Sequence, residues 1–205
     1  MTMIEVDTPE GLAHVHLHPA DEPRAALVLG HGAAGGVTSR DLIAVTDGAL
    51  AERITVALVE QPYRVAGRRS PAPAHRLDAA WLAVVDHLRE GPLRDLPLVV
   101  GGRSLGARVA CRTAEATGAV GVLCVAFPLQ PRRRSGTAES RLPELDGVRV
   151  PTLVVQGSRD PFGMPPGTEL RTVVPVPGTH GVSTDLDAVA DAVRAWLPGV
   201  VASGP

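Results

Sequence analysis

The stretch "VVGGRSLGARVA" (Val99–Ala110) passes from an apolar run into small residues by way of a serine framed by glycines. An apolar run before it and a helical period after it predict a strand, a sharp turn and a helix. Gly102, Ser104 and Gly106 fit the spacing G-x-S-x-G, and they do so in the context where that spacing has a mechanism. The reason is steric. A serine at such a turn takes a strained backbone conformation, and side chains at the flanking glycines would collide with the neighbouring strand and helix. The hydroxyl is thereby pushed outward. Ala107, Ala110, Cys111 and Ala114 give the following helix a slim face for close approach. The start of that helix turns its dipole and free N–H groups toward the serine.

A serine hydroxyl is a poor nucleophile without a base, and the base needs an orienting acid. On this kind of framework they follow in the order Ser, Asp, His, on loops after later strands. Asp160 in "VVQGSRDPFG" and His180 in "VPGTHGVS" meet that order, each at a loop tip flanked by glycine or proline. Taken singly, Asp160 reads equally as a turn residue and His180 as a surface loop histidine. Their joint placement behind the serine turn favours chemistry. A developing oxyanion needs two N–H donors. The expected ones are the amide of Leu105, just after the serine, and that of Ala33 in "LGHGAAGG". His31 in that loop is expected to brace it.

Around this junction, short apolar runs alternate with segments of helical period. Expected strands are 13–17, 25–30, 54–60, 98–102, 121–126, 152–157 and 171–174, and expected helices are 40–53, 74–90, 105–117 and 185–197, the last closed by Pro198-Gly199. The central strands are apolar throughout, as strands covered on both faces are. This predicts an α/β fold: a doubly wound, mostly parallel sheet with helices on both faces, forming a single domain over 1–205. The first strand differs. Glu5, His14, His16 and His18 alternate with apolar neighbours and suggest a half-exposed antiparallel edge. Two irregular stretches, 61–73 and 127–151, begin where strands end and should lie on the carboxyl edge, where such sheets bind ligands.

Two other patterns compete. Gly30, Gly32 and Gly35 match the dinucleotide spacing G-x-G-x-x-G after a strand, with Glu60 ending the next strand. A nucleotide loop opens its helix within the glycines, whereas here the helical pattern waits until about Ser39. The row of His14, His16 and His18 lacks a cysteine or acidic cluster and reads as a solvated strand face, so neither a metal nor a cofactor is implied.

Composition narrows the classes further. The chain has 205 residues, 44% of them hydrophobic, with a mean hydropathy of +0.12, which suffices for a substantial core. Aromatics are only 2%, so base-stacking surfaces are not expected, and a net charge of -2 exerts no pull on nucleic acid or acidic membranes. Cys111 and Cys124 fall within apolar patterns and read as small buried hydrophobes in a reducing compartment. The start, MTMIEVDTPEG, has no signal-peptide pattern, and no apolar run approaches the ~18 residues that span a bilayer. A cytoplasmic location is expected.

"GHGAAGG", "GGRSLGARVA", "FPLQP", "VVQGSRDPFG" and "PGTHGV" together resemble the small lidless α/β-hydrolases, a superfamily that includes dienelactone-hydrolase-like esterases. Within it they look like a subgroup that includes a testis-expressed protein and a subunit of the non-specific-lethal chromatin complex. The resemblance implies the α/β-hydrolase fold without a cap domain and Ser104, Asp160 and His180 as a catalytic triad. Gln130 departs from it, standing where the subgroup has a histidine after "PL".

The segment 127–151 occupies the usual place of a lid but is too short for a helical cap, so an open site for a small-molecule acyl substrate is expected. Arg64, Arg68, Arg69 and Arg103, with Arg132, Arg133 and Arg134, would form a cationic rim favouring anionic esters if they are more than solvated surface arginines. The function expected is that of a serine esterase. The alternative is a scaffold that keeps the three residues without turnover. A homodimer is an assembly the chain permits.

Overall fold

The computed structural model describes residues 1–131 and 139–202; Arg132, Arg133 and Arg134 lie outside the described residues. Eight strands form one sheet: β1 (Thr2–Thr8), β2 (Gly11–His18), β3 (Ala25–Gly30), β4 (Ile54–Glu60), β5 (Leu98–Arg103), β6 (Gly121–Val125), β7 (Thr152–Gly157) and β8 (Arg171–Val176). Their spatial order is β1-β2-β4-β3-β5-β6-β7-β8. From β4 across to β8 every neighbouring pair is parallel, and β2 joins β4 antiparallel. The doubly wound, mostly parallel sheet expected from the alternation of strands and helices is the one observed, in the arrangement that the resemblance to α/β-hydrolases implied.

The apolar strands are buried on both faces, and the pleat divides their side chains between two layers. Val28, Val100 and Val122 pack with Trp81, Val84 and Leu88 of α3 (Ala74–Glu90) and with Ala107 and Ala110 of α4 (Leu105–Thr117). Leu27, Leu29, Val99 and Leu123 face α1 (Arg40–Ala51) and α6 (Leu186–Ala202). Successive strand residues feed opposite layers, so a strand with helices on both sides has no polar face to offer.

Several boundaries differ from the sequence reading. β1 is a separate strand that pairs antiparallel with β2, so the strand bearing His14, His16 and His18 is the second one in, not the edge. Asp185 precedes α6 and accepts a hydrogen bond from the Ala188 amide, acting as its cap. At its other end α6 runs through Pro198, where the sequence had suggested closure. Packing outweighs the lost N–H: Val200, 5% exposed, sits on the sheet where Gly121 has no side chain. The stretch 61–73 contains a short helix, α2 (Pro62–Val65), and the described part of 127–151 contains α5 (Leu142–Asp146). Bidentate Arg108–Glu144 contacts tie α5 to α4. Among the described residues no helix is long and apolar enough to cross a membrane.

Among the glycines of the described residues, the one with least room for a side chain is at the crossing of β3, β5 and α4. A Cβ at Gly106 would lie 2.2 Å from the Gly30 carbonyl oxygen, and one at Gly102 would lie 2.4 Å from the same atom. Backbone cannot yield there. Gly106→Ala should therefore destabilise the fold by about 3 kcal/mol, read as a lower urea midpoint. An unchanged midpoint would contradict this packing.

Candidate active site

Ser104 stands between β5 and α4 with φ 53° and ψ −102°, a conformation that L side chains rarely adopt. Neighbours hold it there. Its amide donates to the Val125 carbonyl at 2.9 Å, and the Gly106 amide donates to the His31 carbonyl at 3.1 Å. The side chain remains partly exposed at the carboxyl edge of the sheet.

The loops after β7 and β8 bring Asp160 and His180 to it. Ser104 Oγ lies 2.9 Å from His180 Nε2, and His180 Nδ1 lies 2.8 Å from Asp160 Oδ2. A proton on Nδ1 leaves Nε2 as the acceptor for the serine hydroxyl. The Asp160 carboxylate is fully buried, a costly state for a charge unless donors surround it. Donors do: Oδ1 accepts from the Phe162 amide at 2.8 Å, and Oδ2 accepts from Gln156 Nε2 at 2.8 Å as well as from His180. Phe162 meets the imidazole edge-on with ring centroids 4.5 Å apart. The sequence reading missed Gln156, although a glutamine inside the otherwise apolar "TLVVQG" was a signal.

Arg103 borders a cleft with Ala34, Gly35, Gly181 and Ser183, but its charge is already paired within the protein. Its guanidinium turns inward, donating to Asp41 Oδ2 at 3.2 Å and to the His180 carbonyl at 3.1 Å. Asp41, 3% exposed in the first turn of α1, neutralises that charge and was not singled out in the sequence. Arg103 thus ties the turn that carries the serine to the loop that carries the histidine. Arg68 and Arg69 are exposed, whereas Arg64 is half-buried and forms no ion pair among the described residues.

The two expected oxyanion amides are oriented by their surroundings. The Gly32 carbonyl accepts from His31 Nδ1 at 2.8 Å and from the Gly35 amide at 3.2 Å. In a trans peptide the following Ala33 N–H therefore points the opposite way. Tyr63 Oη donates to the Ala33 carbonyl at 3.2 Å, and burial pushes its own pKa up to about 12. The Leu105 amide opens α4, where no carbonyl lies one turn back to accept it. His31 Nε2 accepts from the Gln61 amide at 3.2 Å, so the buried ring bridges the loops after β3 and β4 as a neutral tautomer.

A cleft of about 340 Å³ opens beside Arg103, between Ala34 and Gly35 on one side and Gly181 and Ser183 on the other. A larger hollow, about 1010 Å³, lies elsewhere, between α4, α5 and the residues leading into β7. It is bordered by Cys111, whose hydrogen bond with Cys124 and burial push its pKa well above the ordinary thiol value. Cys111 and Cys124 are both buried free thiols, with sulfurs 3.5 Å apart and no disulfide between them. His14 and His16 lie 3.7 and 3.9 Å from Glu60, as partners of a carboxylate on the adjacent strand. No group of three or more ligands suited to a metal occurs among the described residues.

Burial pushes the His31 pKa below its ordinary 6.5, with the Arg64 charge adding to this and the Gly32 carbonyl and Glu60 opposing it. The unfolded chain therefore binds this proton more readily than the folded one. The stability it contributes is complete above pH 6.5 and is lost as pH falls toward the folded pKa. Urea midpoints should fall more steeply between pH 7 and 5.5 in the wild type than in His31→Gln, by up to ~1.4 kcal/mol per pH unit. Parallel curves would contradict a neutral buried His31.

A family model described as an alpha/beta hydrolase domain matches residues 23–180. No curated relative matches the sequence. Among solved structures, a lidless α/β serine hydrolase from Xanthomonas campestris superposes with a TM-score of 0.77 at 17% identity, covering 100% of this chain and 96% of that one. Est1E from Butyrivibrio proteoclasticus gives 0.80 at 15% identity, covering 99% and 100%. Dienelactone hydrolase from Anabaena variabilis gives 0.75 at 15% identity, covering 97% and 96%. The family model spans well over half of the chain, and the protein belongs to the alpha/beta hydrolase domain family.

Proposed function

We propose that this chain is a serine hydrolase of small acyl esters, carboxylesterase-like, working through Ser104, His180 and Asp160. The observation that carries the reading is the unbroken relay from Ser104 Oγ through both nitrogens of His180 to Asp160 Oδ2, at 2.9 and 2.8 Å. The hydrolase names borne by two of the similar structures support it. The motifs around Gly32, Ser104 and Asp160 further favour kinship with the subgroup that holds the testis-expressed protein and the non-specific-lethal complex subunit.

His180 Nε2 takes the Ser104 proton as Oγ attacks the ester carbonyl, and Asp160 holds the imidazolium that forms. Negative charge gathers on the carbonyl oxygen, where the Ala33 and Leu105 amides stabilise it. His180 then passes the proton to the departing alkoxide as the acyl-enzyme forms. Water, deprotonated by His180, attacks the ester of Ser104, and the returning proton restores the hydroxyl. The partly exposed serine, with a cleft of only about 340 Å³ next to the adjoining Arg103, favours short acyl groups. A scaffold reading would require these groups to stay silent.

Ser104→Ala should lower turnover of p-nitrophenyl acetate by ~10⁴-fold and abolish labelling by a fluorophosphonate probe. Labelling that survives the substitution would identify a different nucleophile, and an unlabelled wild type would favour the scaffold.

Arg64 gives the substrate class a sharper form. Half-buried and without an ion pair among the described residues, it directly follows Tyr63, whose hydroxyl donates to the Ala33 carbonyl. It supports a preference for acyl esters that carry a carboxylate near the Ala33 loop. Arg64→Gln should raise KM for a hemisuccinate ester several-fold and leave a neutral acetate ester unaffected, with the difference shrinking at high salt. Equal effects on both esters would discard the preference.

A further inference from the structure

Gln156, the fifth residue of β7, has no solvent exposure, yet its side-chain amide nitrogen faces three acceptors near the site. Nε2 lies 2.8 Å from Asp160 Oδ2, 3.0 Å from the Gly163 carbonyl and 3.1 Å from the Phe127 carbonyl. All three are acceptors and the amide has two hydrogens, so its donor capacity is saturated. Oε1 is buried with no partner among the described residues. Exchanging the two ends would set a carbonyl against three acceptors, which fixes the amide's orientation. An apolar residue of this length would bury no orphan oxygen here. The polar one is matched to what surrounds Nε2.

That surrounding is the acid of the relay. Asp160 Oδ2 receives Gln156 Nε2–H and His180 Nδ1–H together, and Oδ1 receives the Phe162 amide. Phe162 sits on the same short loop as Asp160 and moves with it. Gln156 projects from a strand paired on both sides, and its backbone is anchored independently of that loop. It is the only side chain besides His180 that donates to the carboxylate among the described residues. We propose that Gln156 is the positioning residue for Asp160, holding the carboxylate in the plane that presents Oδ2 to His180. It rests on the reading of Ser104, His180 and Asp160 as a catalytic relay. It adds that the relay is referenced to the sheet through one strand amide and not through the loop alone.

The rival role is a loop staple, in which the ties to Phe127 and Gly163 matter and the tie to Asp160 is incidental. Gln156→Met keeps length and volume and removes every donor. With p-nitrophenyl acetate, kcat should fall by ~10- to 100-fold while KM stays within about twofold, because a displaced relay slows chemistry without altering ester binding. In an Asp160→Ala background the same substitution should cause no further loss, since its route runs through the carboxylate. The low-field proton resonance of the His180 Nδ1–H bond should shift or vanish in Gln156→Met, a readout that needs no turnover. An unchanged kcat and resonance, with or without a lower melting temperature, would overturn the proposal and leave the staple. An equal further loss in the Asp160→Ala background would overturn it too. If Gln156→Met does not fold, Gln156→Asn, which withdraws the amide by one methylene, carries the same comparisons. A wild type that neither turns over ester nor takes the fluorophosphonate probe would count against the catalytic reading, and the resonance would still decide the positioning role.

Discussion

The close crossing of β3, β5 and α4 is the constraint on which the rest depends. Gly30, Gly102 and Gly106 have no side chains, so α4 can start almost against the carbonyl of Gly30, and the chain must turn within a single residue. That residue is Ser104, and its φ of 53° is the consequence. Strain of this kind costs about 1–3 kcal/mol and survives only where packing over-determines it. Here two full layers of core do so, one around α3 and α4 and the other around α1 and α6. The hydroxyl is held out at the sheet edge because the backbone has nowhere else to go.

The partners of that hydroxyl are carried on loops, which are softer, and each is tied to something stiff. Arg103 reaches from the serine turn to the His180 carbonyl while paired to buried Asp41. His31 bridges the loops after β3 and β4 and fixes the Gly32 carbonyl, which sets the direction of the next amide. Among the described residues, no arginine or lysine touches the buried Asp160 carboxylate. Its charge is met by hydrogen-bond donors from an amide, a glutamine and a histidine. A carboxylate held this way keeps its acceptor strength for the imidazole, which a full arginine pair would drain.

Much of this was readable in the sequence, for physical reasons that differ from part to part. The strands 25–30, 54–60 and 152–157 have the observed bounds because both of their faces are apolar and their ends are marked by glycine or charge. The serine turn was legible because sterics leave few residues able to occupy it. β1 was not, since TMIEVDT shows only a partial alternation and gains its structure from pairing with β2. Pro198 suggested an end to α6 that the packing of Val200 against Gly121 overrides. The direction of Arg103 was hidden as well. A charged residue beside a nucleophile looks like a substrate contact until the buried Asp41, distant in sequence, is known to face it. Spacing marks which residues come near the site, but charge pairing across the fold decides which of them face a substrate.

The account comes down to a hydroxyl made nucleophilic by an imidazole. Intact-mass spectrometry of protein quenched during hydrolysis of a p-nitrophenyl ester, followed by peptide mapping, tests that claim most directly. The account predicts a transient acyl group on Ser104, which builds up when attack on the ester outpaces hydrolysis of the acyl-enzyme by water. Turnover with no adduct on Ser104, or with the acyl group on another residue, would contradict it.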